Sequence, residues 1–148
     1  VQIASEDQER EAAGRWLMTT STGESFSTSR LIISETNWLK LECRAWEERL
    51  PGDTTVCSVL LKKDGAQLPA NGFHPYPNDY LLLGYAGLRN YTFFRTRPLT
   101  GSVYLNLDPH SNVYSATFDV DFELDDVEDA APEVFKVECA FTLRACQI

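Results

Sequence analysis

From residue 15 onward, apolar side chains recur at every second position in short runs, and turn-forming residues separate the runs. That period belongs to extended strands whose alternate side chains face a core. Residues 38–46 (WLKLECRAW) put Leu39, Leu41, Cys43 and Ala45 on one side and Trp38, Lys40, Glu42, Arg44 and Trp46 on the other. Residues 133–146 (EVFKVECAFTLRAC) place Phe135, Val137, Cys139, Phe141 and Leu143 on a common face. The same reading predicts strands over 15–20, 26–34, 54–62, 80–86, 90–97, 102–107 and 113–124. Turns fall at the loop around Gly23, at Pro51-Gly52-Asp53, at Lys63-Asp64-Gly65, from Pro98 to Gly101 and from Pro109 to Asn112. Residues 66–79, with Pro69, Asn71-Gly72, Pro75 and Pro77, are the longest stretch expected to be irregular.

One segment departs from the strand pattern. Residues 5–13 read as a short helix, capped by Ser5, with Gln8 at the capping-box position, acids in the first turn and Gly14 placed to end it. The chain is therefore expected to be one all-β domain over residues 1–148, with a helical segment at 1–13. The architecture expected is an antiparallel sandwich or flattened barrel of about eight or nine strands. Gly14-Arg15-Trp16 resembles the G-x-W opening of lipocalin-like barrels, although the chain ends in β with no helix after the last strands. The resemblance implies a small-ligand carrier as one alternative.

Hydrophobic residues make up 43% of the 148, enough for a real core, and no run is long enough for a membrane-spanning helix. A formal charge of −9 disfavours nucleic acid and anionic membranes as partners. The imbalance is local: residues 119–138 hold nine acids and a single base, Lys136. Within that window Asp119, Asp121 and Glu123 alternate with Val120, Phe122 and Leu124, so the carboxylates stack on one face and continue into Asp125 and Asp126. Three explanations compete: a solvated strand that resists edge-to-edge pairing, a calcium site, or a patch that steers a cationic partner. Leu124 stands where a calcium-binding loop of the EF-hand type needs glycine, so no metal site is assigned.

The four cysteines, Cys43, Cys57, Cys139 and Cys146, lack the C-x-x-C pairs of a zinc site. They are expected to form two disulfides in a periplasmic or extracellular protein, the other reading being buried thiols in a reducing compartment. Cys139 and Cys146, seven apart, point to opposite faces of an extended strand and lie roughly 23 Å apart, so they pair only if the chain turns between them. Cys43 and Cys57 flank a hairpin and can meet across it. Asn90-Tyr91-Thr92 is a glycosylation triplet.

No catalytic set emerges. Asp108-Pro109-His110-Ser111 brings acid, base and hydroxyl together, but neighbours in a tight turn do not converge as a relay, so it reads as a turn. The second candidate surface is Asn71 to Tyr80, where Phe73, His74, Tyr76, Asp79 and Tyr80 combine aromatic anchors with stiffening prolines. It serves either as a docking loop or as a lid over the core, with Phe73 and Tyr80 buried. Arg89, Arg95 and Arg97 follow, as a basic spot or as outer-face residues. The expectation is a protein-binding module of the inhibitor or immunity type. It would be a monomer or small oligomer without cofactor, occluding a basic partner such as a cell-wall hydrolase or toxin. The alternatives are a ligand carrier and a structural or adhesive surface module, with a hydrolase last.

Overall fold

The computed structural model describes residues 8–36, 38–125 and 133–146. They form ten strands: β1 (Gln8–Thr20), β2 (Ser25–Thr28), β3 (Leu31–Thr36), β4 (Lys40–Leu50), β5 (Asp53–Lys62), β6 (Gly72–Tyr76), β7 (Leu81–Arg89), β8 (Thr92–Asp108), β9 (Val113–Leu124) and β10 (Val134–Ala145). Eight of these, β1, β3, β4, β5, β7, β8, β9 and β10, pair in that order, all antiparallel. A ladder from Ala12–Ala145 to Thr20–Val137 joins β10 back to β1 and closes the barrel. β2 and β6 are outer strands, on β1 and β8 respectively. Closure leaves these eight strands no full free edge, and antiparallel hairpins need only short turns between neighbours.

The expected N-terminal helix is not formed. Gln8 to Ala13 open β1 instead, and residues 5–7 lie outside the described residues. The polar spacing that suits a capped helix is overridden because these residues gain ladder partners, Gln8 to Ala12 on β3 and Ala12 and Ala13 on β10. Gly14 does not end a helix. It lies in the barrel wall with φ at 143°, where an added Cβ would sit 2.1 Å from the Thr142 carbonyl oxygen. Two other expectations shift. Pro98 to Gly101 is a bulge within the continuous β8, not a turn between strands. Residues 66–79, expected to be irregular, contain β6, and Pro75 is tolerated there because β6 is an outer strand.

Strand alternation fills the interior. Leu41, Cys43 and Ala45 on β4 and all five predicted inward residues of β10 are buried, whereas Leu39 precedes β4 and is exposed. Trp16 is fully buried and stacks on Phe141 of the neighbouring strand, ring centroids 4.1 Å apart. Cys57 of β5 and Cys139 of β10, both buried, bring their thiols near one another inside the barrel. In the strand order these two stand on opposite walls, so side chains close the axis at that level.

None of the four cysteine sulfurs is bonded to another, which corrects the expected disulfide framework. The reason is register. Cys43 lies opposite Val59 and Cys57 opposite Ala45, so the two are offset by two residues along the β4–β5 hairpin. Cys43, Cys57 and Cys139 act as small core residues, and Cys146 falls on the exposed side, as its odd spacing from Cys139 requires. Burial, then the neighbouring Glu42 charge, pushes the Cys43 thiol up to about 12. Burial and the Cys57 contact raise Cys139 as well.

Two outcomes are expected. Gly14→Ala forces a Cβ onto a backbone oxygen and costs on the order of 2–3 kcal/mol, a fall of roughly 5–10 °C in melting temperature by calorimetry. In a thiol titration Cys146 reacts at once, while the other three react only as the protein unfolds; fast labelling of Cys43 would contradict the inward register of β4.

Candidate functional site

β9 displays the predicted carboxylates on the outside of the barrel. Asp119 and Asp121 keep this outward position, with Phe118, Val120 and Phe122 buried behind them. Glu123 is itself buried and paired with Arg97 from β8, so it closes the wall and is not on offer to a partner. Asp125 is exposed and donates its backbone N–H to the Arg95 carbonyl, 3.0 Å; Asp126 lies outside the described residues. Asp119 pairs with Lys136 at 3.6 Å and lies directly across the β9–β10 ladder from Glu138. Like charges directly opposite are unfavourable in a sheet. Folding brings these two together, and Lys136 is the cation the structure sets beside Asp119.

The aromatic segment divides into inward and outward residues. His74 and Tyr76 are buried, Tyr80 is partly buried, and Asp79 is exposed beside the turn. His74 Nε2 donates to the Ala70 carbonyl, 2.6 Å, and its Nδ1 shares a 2.7 Å hydrogen bond with the Tyr80 hydroxyl. Those groups hold β6 against the barrel. Phe73 alone of the five predicted segment residues turns a large apolar side chain outward, 68% exposed. It is not buried as a lid residue would be.

The register assembles a row that crosses five strands. Phe73 lies opposite Tyr104, Tyr104 opposite Thr117, Thr117 opposite Ala140, and Ala140 opposite Leu17. At about 4.8 Å per strand the row spans roughly 20 Å. Its ends are the large exposed side chains of Phe73, Tyr104 and Leu17, and its middle is the small pair Thr117 and Ala140. The surface is therefore a saddle, with open clefts of about 420 and 690 Å³ on either side of the row. The next row, toward the end of β9, runs Ser102, Asp119, Glu138 and Thr19. Two segments that the sequence separates by more than 40 residues, around Phe73 and around Asp119, thus line one cleft.

Sequence reasoning missed Leu17, Tyr104 and Glu138 as members of this surface. The signal was present in Trp16-Leu17-Met18 and Val103-Tyr104-Leu105, where a large apolar residue occupies the outward position between two inward ones. The three arginines do not make one basic spot. Arg95 lies over the Phe93 ring, 5.5 Å to its centroid, and Arg97 serves Glu123. Arg89 ties the rim of the barrel: its terminal nitrogens donate to Asp53, 3.0 Å, and Glu24, 2.8 Å. The Asp108 carboxylate accepts from the His110 and Ser111 backbone N–H groups and the Ser111 hydroxyl, which makes the Asp-Pro-His-Ser run a turn, as expected.

Glu24 is the rim's acid. Its Oε2 accepts from the buried Tyr85 hydroxyl, 2.6 Å, and from Arg89. Burial alone raises the carboxyl, but the hydrogen bonds from Arg89 and Tyr85 and the Arg89 charge outweigh it and hold the pKa below its ordinary 4.5. A depressed carboxyl stabilises the fold above its unfolded value and loses that contribution as pH falls through the folded one. Glu24→Gln should therefore flatten the acid limb of a stability-versus-pH curve below about 4.5; an unchanged limb in urea titrations would show that the rim bonds contribute nothing.

No family model, curated protein or solved structure matches this chain. Among the described residues no group of three or more histidines, cysteines and acids is placed to hold a metal, and no helix is long and apolar enough to cross a membrane.

Proposed function

We propose that this barrel is a protein-binding module of the inhibitor type that docks a basic partner on its outer saddle. The observation that carries the reading is the union of an exposed aromatic row with a like-charged pair of carboxylates on one cleft. Phe73, Tyr104 and Leu17 supply the anchors, since a few well-packed aromatic and apolar residues dominate interface energies. Asp119, Asp121 and Glu138 supply the field that steers a cationic surface and sets the register. A lysine or arginine arriving there relieves the repulsion between Asp119 and Glu138 while it pairs with both.

Carriage of a ligand within the core is the weaker alternative, because the buried Cys57 and Cys139 lie near one another from opposite walls. The proposal of a periplasmic or extracellular setting loses the disulfides on which it rested.

Gel filtration and surface binding against candidate basic hydrolases test the proposal. A complex is expected whose association slows about tenfold or more between low and high salt. Phe73→Ala and Tyr104→Ala should each weaken it about tenfold, mainly through faster dissociation. A salt-insensitive complex, or one indifferent to both aromatic substitutions, would sink the proposal.

A further inference from the structure

A separate cleft of about 330 Å³ opens at the barrel rim, away from the saddle, between the β1–β2 turn and the near ends of β7, β8, β9 and β10. Its walls are apolar: Tyr85, Phe94, Leu124 and Phe135. The aromatic rings are fixed by one another, Tyr85 meeting Phe94 at 5.4 Å and Phe135 at 6.2 Å, both edge-on. Mouths of β-barrels with apolar walls and a few placed polar groups are common ligand sites.

The polar groups decide what such a ligand carries. Arg89 is the cation lining the cleft, and both of its terminal nitrogens are engaged. Nη1 donates to Asp53, the Thr54 carbonyl and the Leu88 carbonyl; Nη2 donates to Glu24 and Thr55. Its plane also lies over Phe94, 4.9 Å to the centroid. An anion entering the cleft would have to break that clasp. The acceptors are in the opposite condition. Glu24 spends Oε2 on Tyr85 and Arg89, which leaves Oε1 without a hydrogen bond among the described residues. The Glu133 carboxylate, on the facing wall, makes no ion pair or side-chain hydrogen bond among them either. Arg49 acts on Glu24 through its charge and does not take up Oε1. The cleft thus offers aromatic walls, spare carboxylate oxygens and no spare terminal guanidinium donor.

We infer that the rim cleft binds an organic ammonium ion with an apolar body. The ammonium sits between Glu24 Oε1 and Glu133, and the apolar body lies against Phe94, Leu124 and Phe135. Aromatic faces attract such cations, and the two carboxylates supply the hydrogen-bond acceptors that a desolvated ammonium requires.

The test uses 2-phenylethylammonium and phenylacetate, which carry the same ring with opposite charge, followed by aromatic proton NMR on the whole chain. The ammonium should give saturable shifts in the Tyr85, Phe94 and Phe135 resonances at up to about 10 mM, and phenylacetate should give none. Glu133→Gln, at an exposed position without side-chain partners among the described residues, should weaken the ammonium about fivefold. Asp119→Asn removes one charge from the distant saddle and should leave binding unchanged. Equal binding of the two probes, no saturable shift with the ammonium, full affinity in Glu133→Gln, or an equal loss in Asp119→Asn would each overturn the inference. The last outcome would mean that the net charge of the chain attracts the cation without a site. None of these readouts depends on the saddle having a protein partner.

Discussion

The ladder between β1 and β10 is the contact on which the barrel depends, because it turns a ten-stranded sheet into a closed wall. Nine residue pairs make it, and two features inside it fix their register. Gly14 lets the β10 backbone approach where any Cβ would collide with the Thr142 oxygen. Two residues on, Trp16 lays its indole flat on Phe141, the largest fully buried side chain in the protein against its cross-strand neighbour. Slipping β1 by one residue against β10 would turn Trp16 to solvent, away from Phe141, and bring Leu17 inward. The outer saddle exists because that slip is forbidden: Leu17 and Ala140 face outward for the same reason that Trp16 and Phe141 face inward.

Closure also assigns two kinds of work to the two surfaces. The inside is filled by buried side chains, among which Cys43, Cys57 and Cys139 contribute volume. Both sites that we propose therefore lie on the outside and at the rim. On the outside, successive strands deliver one residue each to a common row, so residues distant in sequence act together. At the rim, hydrogen bonds from a single guanidinium reach the β1–β2 turn, β5 and β7, and so set the width of the opening.

Much of this was legible in the chain. The period-two pattern gave β9 at its observed bounds and the inward face of β10, because both faces of those strands have unambiguous partners, core or water. It failed at residues 8–13, where a polar, cap-like sequence has no internal sign that β3 and β10 will supply it with ladder partners. It failed at β6, where Pro75 and the flanking prolines signal a loop but the single neighbouring strand makes Pro75 harmless. The disulfide expectation failed because cysteine spacing says which face a thiol takes but not which thiol it meets. Of the candidate site, the outward Asp119 and Asp121 of β9 could be read directly, whereas Glu123 is buried and the sequence leaves Phe73 open between an exposed anchor and a buried lid residue. That Tyr104, Ala140 and Leu17 adjoin one another could not be read, since strand order is a property of the whole barrel.

The facing pair Asp119 and Glu138 carries a thermodynamic consequence. Their mutual repulsion is a debt that the rest of the fold must carry whenever the domain stands alone, and mobile ions reduce it. In the complex that we propose, a cation-bearing partner would relieve the same repulsion, so occupancy and folding would be linked. Concentrated electrolyte serves the solitary domain at this pair and works against the complex. The solvent that best relieves the pair is thus the one that dismisses its guest.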